Sequence, residues 1–290
     1  MTELSFGVNV PTSAGPGDDP VGLAQEAERL GFDFVSAADH PCGPDPSYET
    51  PTMLTWIAAR TSRIKVASRV LAVPFRRPAM VAKLAASLDQ LSGGRFILGL
   101  GAGYDDEEIT ALGGPALSPG EKVDGLAEAI QVIRGGWTQP GFTQHGRHHS
   151  VRDLELEPRP AQPIPVWLGT FGPRALAVTG RLADGWIPSL GYRPTEEFPA
   201  MRRRIDAAAE AAGRRPEDIR GLLNLAVRID PAAGPRPDLV TGSVQQVVSQ
   251  LRDLLSLGFT GFNFNPGDAG RTANLRQIAE EVVPALRDAG

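Results

Sequence analysis

Short apolar runs alternate with amphipathic segments along the chain. The apolar runs have the length and composition of strands that are covered on both faces, which predicts strands at Leu4–Val10, Phe32–Ala38, Ile64–Leu71, Phe96–Gly101, Pro165–Gly169, Asp184–Pro188, Leu222–Ile229 and Phe259–Phe264. Apolar residues spaced three and four apart lie between them, which predicts helices at Pro20–Leu30, Thr50–Thr61, Pro78–Leu91, Gly120–Arg134, Pro173–Leu182, Thr195–Ala212, Ser243–Leu257 and Ala273–Leu286. A short acidic helix is predicted directly after the fourth strand.

The regular alternation of strand and helix predicts a closed barrel. Each right-handed strand–helix–strand unit brings the next strand in parallel. Eight such units in 290 residues are typical of an α/β fold of the (β/α)8 TIM-barrel type, here a single domain over residues 1–290. Two longer segments interrupt the pattern: an insertion from Gly135 to Pro163, after the fourth strand–helix unit, and a segment at 230–242. Prolines predict an extended path for the second segment, at Pro231, Pro235 and Pro237.

Composition and charge exclude several classes of partner. The chain is 41% hydrophobic and 22% charged, and its net charge of -5 comes from both signs spread along the chain. This argues against a nucleic-acid surface and against polybasic membrane binding. Cys42 is the only cysteine, so no internal disulfide forms and a reducing compartment is expected. Neither a signal segment nor a run of 18 apolar residues is found, so we expect a cytoplasmic protein without a membrane span.

Candidate chemistry lies at the carboxyl ends of the strands, where such barrels place their active sites. Asp39 and His40 form the titratable pair that directly follows a predicted strand. An imidazole can take or give a proton at neutral pH, and the carboxylate can accept a hydrogen bond. Alternatively, Asp39 caps a turn and His40 is an ordinary loop residue. Placement alone puts further residues at this rim: Asn9, Ala72, Val73, Gly101, Gly103, Tyr104, Gly169, Thr170, Trp186, and Asn263 or Asn265.

Two glycine-bearing segments indicate a bound ligand. Gly99, Gly101 and Gly103 leave little side-chain bulk where the fourth strand ends, so a flat molecule can approach the backbone, although tight packing would also favour glycine there. The segment Gly169–Arg174 follows the fifth strand and opens a helix, with proline suited to the first helical position. Free N–H groups of that first turn favour an anion. The residues of this predicted anion site are Gly169, Thr170, Phe171, Gly172, Pro173 and Arg174.

These segments, taken in order, resemble the bacterial luciferase-like family of flavin and deazaflavin oxidoreductases. The resemblance runs essentially from end to end. It rests on Phe6–Val8, Glu26–Phe34, Ala38–Pro41, Arg76–Pro78, Leu88–Gly103, Glu157–Pro160, Gly172–Ala175 and Ala183–Trp186. Each segment alone is unspecific, whereas the combination is specific. The resemblance implies a (β/α)8 barrel with an isoalloxazine-type ring deep in its mouth.

The family uses two cofactors, FMN and the deazaflavin coenzyme F420. The Asp39-His40 pair is similar to the F420-dependent branch, which implies that Asp39 contacts the ring and that His40 assists proton transfer. The resemblance further implies a cis peptide bond at Ala72–Val73 that supports the ring, and a cofactor phosphate at Gly169–Arg174. Gly101 and Gly103 would lie beside the cofactor.

One position departs from the sugar-phosphate dehydrogenases of this family. In those enzymes a glutamate follows the glycines of the fourth strand and donates a proton, whereas Tyr104 stands here, followed by four acidic residues. A phenol is a poorer acid, although Tyr104 can still donate a hydrogen bond. No cluster of Lys and Arg is found at the strand ends to clamp a substrate phosphate. Sugar-phosphate oxidation is therefore not expected.

The substrate wall is predicted to be aromatic, with parts of the 135–163 insertion. Its predicted members are Phe6, Trp56, Phe75, Phe171, Trp186 and Tyr192. A large apolar mouth with few fixed charges favours a neutral, fairly hydrophobic small molecule. His145, His148 and His149 could be considered as metal ligands, but no carboxylate joins them at ligand spacing, so no metal is predicted.

We therefore expect an F420-dependent oxidoreductase that transfers a hydride between the cofactor and an organic substrate, with reduction as the expected direction. The catalytic candidates are His40, Asp39 and Tyr104. Three alternatives stay open: an FMN-dependent monooxygenase that needs a separate flavin reductase, a divalent-metal hydrolase on the same barrel, and a cofactor-binding barrel without catalysis. The resemblance also implies a homodimer, for which the helix Pro78–Leu91 is a candidate surface.

Overall fold

The computed structural model describes residues 3–234, 236–267 and 270–287, so Pro235 lies outside the described residues. Its strands are β1 (Ser5–Asn9), β2 (Phe34–Ala37), β3 (Lys65–Ser68), β4 (Leu71–Ala72), β5 (Phe96–Gly101), β6 (Phe142–His145), β7 (Ser150–Leu154), β8 (Val166–Leu168), β9 (Gly185–Trp186), β10 (Arg220–Ile229), β11 (Leu239–Gly242) and β12 (Gly261–Asn265). Its α-helices are α1 (Pro20–Arg29), α2 (Thr50–Arg60), α3 (Pro78–Ser92), α4 (Asp106–Ala111), α5 (Pro119–Thr138), α6 (Pro173–Leu182), α7 (Phe198–Ala211), α8 (Val244–Ser256), α9 (Arg271–Gln277) and α10 (Val283–Arg287).

Within the described residues, the strands close into a parallel barrel. They follow one another in the order β1, β2, β3, β5, β8, β9, β10 and β12, and β12 pairs with β1. β4 continues the line of β3 and pairs with the end of β5. Helices separate successive strands, so the predicted (β/α)8 TIM barrel is confirmed.

The two longer segments contain strands that the sequence did not reveal. α5 continues to Thr138, and the insertion then forms an antiparallel hairpin from β6 and β7. In the segment at 230–242, β11 pairs in parallel with the end of β10, from Ala226 to Ile229. Its four residues follow a proline-bearing stretch, which hid the strand pattern. No helix in the described ranges combines the length and the apolar character needed to cross a membrane.

Aromatic side chains fill the lower interior of the barrel. The rings of Phe34 and Trp167 meet edge to face with centroids 5.3 Å apart. They belong to a buried cluster with Ala67, Ile97, Ile187 and Leu222, against which Val70 packs. This cluster occupies the interior and separates the carboxyl end of the barrel from its amino end.

Gly7 makes room for this aromatic filling, which leads to a stability prediction. A Cβ atom at Gly7 would lie 2.2 Å from the ring of Phe34. We expect Gly7→Ala to lower the free energy of unfolding by about 1–3 kcal/mol, because an overpacked core forces its neighbours to shift. Urea unfolding followed by circular dichroism measures this change.

The matched control is Gly172→Ala, since a Cβ atom there would meet open space and the backbone φ is -70°. We expect this variant to unfold within about 0.5 kcal/mol of the wild type, as surface substitutions usually do. Equal stability of the two alanine variants would contradict the tight contact between Gly7 and Phe34.

A cluster of charged residues joins α1 to α9, and its contribution to the free energy of unfolding should depend on pH. Glu26 accepts hydrogen bonds of 2.7 Å from both Arg29 and Arg276, and these bonds lower its pKa from 4.5 to about 2. Since the pKa of Glu26 is lower in the folded state, its stabilisation is complete above pH 4.5 and is lost as the pH falls towards 2. We expect Glu26→Gln to cost about 1 kcal/mol at pH 7, discounted for solvent screening, and almost nothing near pH 2. Unfolding curves at both pH values test this, and an unchanged cost at low pH would contradict it.

Candidate active site

A cavity of about 290 Å³ opens at the carboxyl ends of β2, β4, β5, β8 and β9. It lies above Val70 and Ile187 on the aromatic filling of the barrel. Many of the predicted site residues line it together: Asp39, His40, Ala72, Phe75, Gly101, Gly103, Tyr104, Gly169, Thr170, Phe171 and Tyr192. The barrel thus brings distant parts of the sequence to one place.

Asp39 is buried and held by an arginine. Its side chain is fully buried and accepts two hydrogen bonds from Arg76, of 2.7 and 3.0 Å, and one from the backbone N–H of Ala72. Arg76 also binds Glu49 at 2.6 Å. Burial alone would lower the pKa of Arg76, but its bonds to Asp39 and Glu49 outweigh this and raise it. The charge of Asp39 is therefore neutralised by Arg76, and the carboxylate fixes the loops after β2 and β4 to one another.

His40 lies between a buried carboxylate and a phenol. Its Nδ1 is 2.9 Å from Oε2 of Glu108, and its Nε2 is 3.5 Å from the hydroxyl oxygen of Tyr104. Glu108 is only 7% exposed and also accepts the backbone N–H of Cys42. Because a carboxylate accepts a hydrogen bond from Nδ1, the proton of the neutral imidazole stays on Nδ1. Nε2 can then take up or release a proton on the side of the cavity. The pair is thus arranged for acid–base chemistry at Nε2.

Glu108 is a site residue that the sequence analysis did not select. It lies in the first turn of α4, next to Asp105, whose side chain caps that helix by accepting the backbone N–H of Glu108 at 3.0 Å. Acidic residues are common at helix starts, so the acidic run indicated a cap rather than a catalytic partner. A carboxylate is therefore present beside His40, but it binds Nδ1 of His40 and does not take the position of Tyr104.

Tyr104 contributes a hydroxyl that stays protonated. Partial desolvation, with a smaller effect of Tyr192, Asp105 and Glu108, raises the pKa of this phenol from its usual value. Tyr104 is 71% exposed as a residue, and its ring packs edge to face against His40. Tyr104 can donate a hydrogen bond but is a weak acid, in agreement with the expectation from sequence.

The glycines at the end of β5 serve packing and access together. A Cβ atom at Gly99 would lie 1.9 Å from the carbonyl oxygen of Ser68, and one at Gly101 would lie 2.7 Å from Val70. Gly103 has a φ of +82°, which few other residues adopt. Gly101 and Gly103 line the cavity, whereas the space beside Gly99 is taken by protein atoms. The packing interpretation is therefore correct for Gly99.

The predicted position of the cis peptide bond is wrong. The cis bond joins Arg69 and Val70, between β3 and β4, and not Ala72 and Val73. The third barrel strand is divided into two short strands, and this division places the bond three residues earlier. Val73 is buried in a short 3₁₀ turn and does not line the cavity, whereas Ala72 does.

The start of α6 retains free backbone donors. Gly172 precedes the helix, and no side chain caps it. Thr170 is buried, and its hydroxyl lies 2.8 Å from that of Thr179. Arg174 is exposed and binds Asp124 at 2.6 Å. The cavity lining does not include Gly172, Pro173 or Arg174. The predicted anion site therefore offers the backbone N–H groups of a helix start, while its arginine is paired with Asp124.

The predicted substrate wall needs three corrections. Phe6 is fully buried and stacks on Phe264, with ring centroids 6.0 Å apart, in the core between strands and helices. Trp186 is also buried, and its indole N–H donates to the carbonyl oxygen of Thr170. Trp56 is 59% exposed on α2, beside a separate surface pocket. Phe75, Phe171 and Tyr192 do line the cavity, and Phe171 stacks on Tyr192 with centroids 5.6 Å apart.

The insertion contributes neither to this cavity nor to a metal site in the described part of the chain. Trp137 is buried, and its indole N–H donates to the carbonyl oxygen of Ala82 in α3. His148 and His149 lie in the turn between β6 and β7, where Glu128 accepts their backbone N–H groups. Among the described residues, no group of three or more His, Cys, Asp or Glu side chains is placed to hold a metal ion.

A series of side-chain hydrogen bonds runs through the barrel from β2, across β12 and β10, to the segment after β9. The hydroxyl of Ser36 donates to Asn263, the amide of Asn263 donates to Asn224, and that of Asn224 donates to Ser189, over distances of 2.8 to 3.0 Å. Ser189 lines the cavity. Strand-end asparagines were expected at this rim, and the structure uses Asn263 within this chain of hydrogen bonds.

Comparison with known proteins identifies the family. A family model described as luciferase-like monooxygenase matches residues 4–233. The chain belongs to this family. The family predicted from the sequence is thus confirmed.

Curated relatives carry the names of F420 enzymes. An F420-dependent glucose-6-phosphate dehydrogenase of Kineococcus radiotolerans is 33% identical over 91% of this chain and 92% of that protein. One of Microbacterium testaceum is also 33% identical, over 71% of this chain and 62% of that protein. An F420-dependent secondary alcohol dehydrogenase, solved with an F420-acetone adduct, superposes with a TM-score of 0.87 over 99% of this chain and 100% of that chain, at 18% identity. This last likeness shows the fold.

Proposed function

We propose that this luciferase-like protein is an F420-dependent oxidoreductase. The observation that carries the proposal is His40 on the rim of a cavity at the carboxyl end of the barrel, held by the buried Glu108 at Nδ1 and with Nε2 3.5 Å from the hydroxyl of Tyr104. The names of the curated relatives support F420 as the cofactor.

The residues present fit a flat ring with an anionic tail. Val70 and Ile187 form an apolar floor, and Gly101 and Gly103 leave one wall without side-chain bulk. The uncapped start of α6 offers backbone N–H groups beside Phe171, where a phosphate would be stabilised. F420 supplies the hydride chemistry at its C5 when it is bound there.

The side chains of this chain supply orientation and the proton. His40 takes or gives a proton at Nε2, and Glu108 fixes the orientation of its ring. Asp39 and Arg76 hold the loops that carry His40 and Ala72. Tyr104 donates a hydrogen bond from its protonated hydroxyl.

The substrate we propose is a small molecule with an apolar body, and reduction is the proposed direction. Phe75, Phe171 and Tyr192 form the apolar part of the cavity. Among the described residues that line it, Arg69 is the sole Lys or Arg, so a phosphate clamp of several cations is not formed. This argues against a sugar phosphate. A homodimer in the cytoplasm stays a prediction, for which light scattering tests the dimer.

Turnover with reduced F420 tests the proposal. Purified protein is mixed anaerobically with reduced F420 and a panel of enones, imines and ketones, and the return of oxidised F420 is followed by its absorbance. We expect at least one compound class to oxidise the cofactor in the presence of protein. A monooxygenase that uses FMN would leave reduced F420 unchanged in this assay and would consume oxygen in a parallel aerobic assay with reduced FMN. That combination would overturn the proposal.

A further inference from the structure

Arg69 lies in the cavity, and no described residue provides it with a counter-charge. It follows β3, lines the cavity and is partly buried. Its Nη2 donates a hydrogen bond of 2.6 Å to the amide oxygen of Asn9. Its Nε is buried and has no hydrogen-bond partner. Within the described residues, no carboxylate forms an ion pair with this guanidinium.

The carboxylates around the same cavity are already engaged. Asp39 binds Arg76 at 2.7 Å, and Glu108 binds His40 at 2.9 Å. Asp105 accepts the backbone N–H of Glu108. Burial lowers the pKa of Arg69 to about 10, so the side chain still carries its charge at neutral pH. Among the described residues that line the cavity, Arg69 is therefore a cation that no carboxylate neutralises.

The charge and the planar shape of the Arg69 guanidinium indicate which ligand group would neutralise it. An unpaired charge taken out of water is costly unless a partner of opposite charge replaces the lost hydration. The planar fork of N–H donors matches the two oxygens of a carboxylate. Asn9 accepts from Nη2 and holds the guanidinium in place, whereas the buried Nε has no acceptor among the described residues.

We propose that Arg69 recognises an anionic group, a carboxylate in chemical type, on the molecule that fills the cavity. The substrate class then becomes an organic acid whose apolar body packs against Phe75, Phe171 and Tyr192. This differs from the neutral molecule that was expected from the sequence. The proposal rests on the proposed function only in taking this cavity as the ligand site. An anionic part of the cofactor has the same chemistry and is the second possible source.

A charge-matched pair of ligands tests the proposal. Benzoate and benzamide have nearly the same shape and differ in charge, and each is titrated calorimetrically at millimolar concentration into the protein without cofactor. We expect the wild type to bind benzoate at least tenfold more tightly than benzamide. We expect Arg69→Met to lose this preference, and Arg69→Lys to keep part of it, since the charge remains without the fork.

Arg181→Met is the matched control, because Arg181 is an exposed arginine of α6 outside the cavity. It should bind both ligands as the wild type does. An unchanged preference in Arg69→Met, or equal binding of both ligands by the wild type, would overturn the proposal. If Arg69→Met does not fold, the wild type and Arg69→Lys still decide it.

The two sources of the anion are separated by repeating the titration with saturating F420. A preference for benzoate that persists assigns Arg69 to the substrate. A preference that disappears, together with an at least tenfold loss of F420 affinity in Arg69→Met, assigns Arg69 to an anionic part of the cofactor. Failure of F420 to bind at all would count against the proposed function and leaves the titration without cofactor as the test of Arg69.

Discussion

Replacing His40 by alanine is expected to lower the rate of hydride transfer by about two to four orders of magnitude, the usual contribution of a general acid or base. The reason is the loss of the proton carrier at Nε2, whose orientation depends on Glu108. The affinity for F420 should change less than threefold, because the remaining cavity residues are untouched. Single-turnover absorbance measurements with reduced F420 give the rate, and fluorescence quenching gives the affinity.

Two variants separate the role of His40 from effects of its neighbours. Glu108→Gln leaves the ring in place without the negative charge, so we expect an intermediate loss of rate. Tyr104→Phe removes a hydroxyl 3.5 Å from the imidazole and should cost less than about tenfold, as a long hydrogen bond contributes little. A rate for His40→Ala within a factor of three of the wild type would assign the proton transfer to another group.

Arg76→Met should produce the largest loss of stability among the charge substitutions near the site. It leaves the carboxylate of Asp39, whose side chain is fully buried, without its bidentate partner. Breaking a buried ion pair by removing one member costs about 3–5 kcal/mol. At about 2–4 °C per kcal/mol, the melting temperature should fall by roughly 6–20 °C. Calorimetry or thermal denaturation followed by circular dichroism measures this shift.

A double-mutant cycle provides the control. Asp39→Asn in the Arg76→Met background removes the stranded charge and should recover part of the lost stability, so the two substitutions are not additive. Arg215→Met removes an exposed ion pair with Asp218 and should leave the melting temperature almost unchanged, because solvent screens this pair. Equal melting temperatures for Arg76→Met and Arg215→Met would contradict the buried pair.

The fold could be predicted because its signal is repeated and local. Each apolar run and each helical period, such as Val247, Leu251 and Leu254 on one face of α8, depends on nearby residues only. Eight repeats of the same unit then leave few topologies. The extra strand β11 escaped prediction because its pairing with β10 is set by tertiary contact rather than by its own four residues.

Site residues that directly follow a strand could be predicted from the sequence. Residues within a strand were harder to predict, because the direction of the side chain decides whether they line the cavity. Asp39, His40 and Gly101 line the cavity because each lies at a strand end. Phe6 and Trp186 lie on barrel strands, but a strand that is apolar on both faces does not show which side chains point towards helices.

Two residues of the cavity lacked a usable signal in the sequence. Arg69 lies inside a segment that was predicted as continuous strand, so its position at the break between β3 and β4 was hidden. Glu108 lies in the first turn of a helix, where a glutamate normally stabilises the helix dipole. Its long-range contacts with His40 and the backbone of Cys42 distinguish it from Asp106 and Glu107.

The most direct test of the central claim is a fluorescence titration of the purified protein with F420 and, in parallel, with FMN. We expect F420 to bind with a dissociation constant in the micromolar range or below, and FMN to bind at least tenfold more weakly. Tight binding of FMN with no binding of F420 would contradict an F420-dependent oxidoreductase and would favour a flavin monooxygenase on the same barrel.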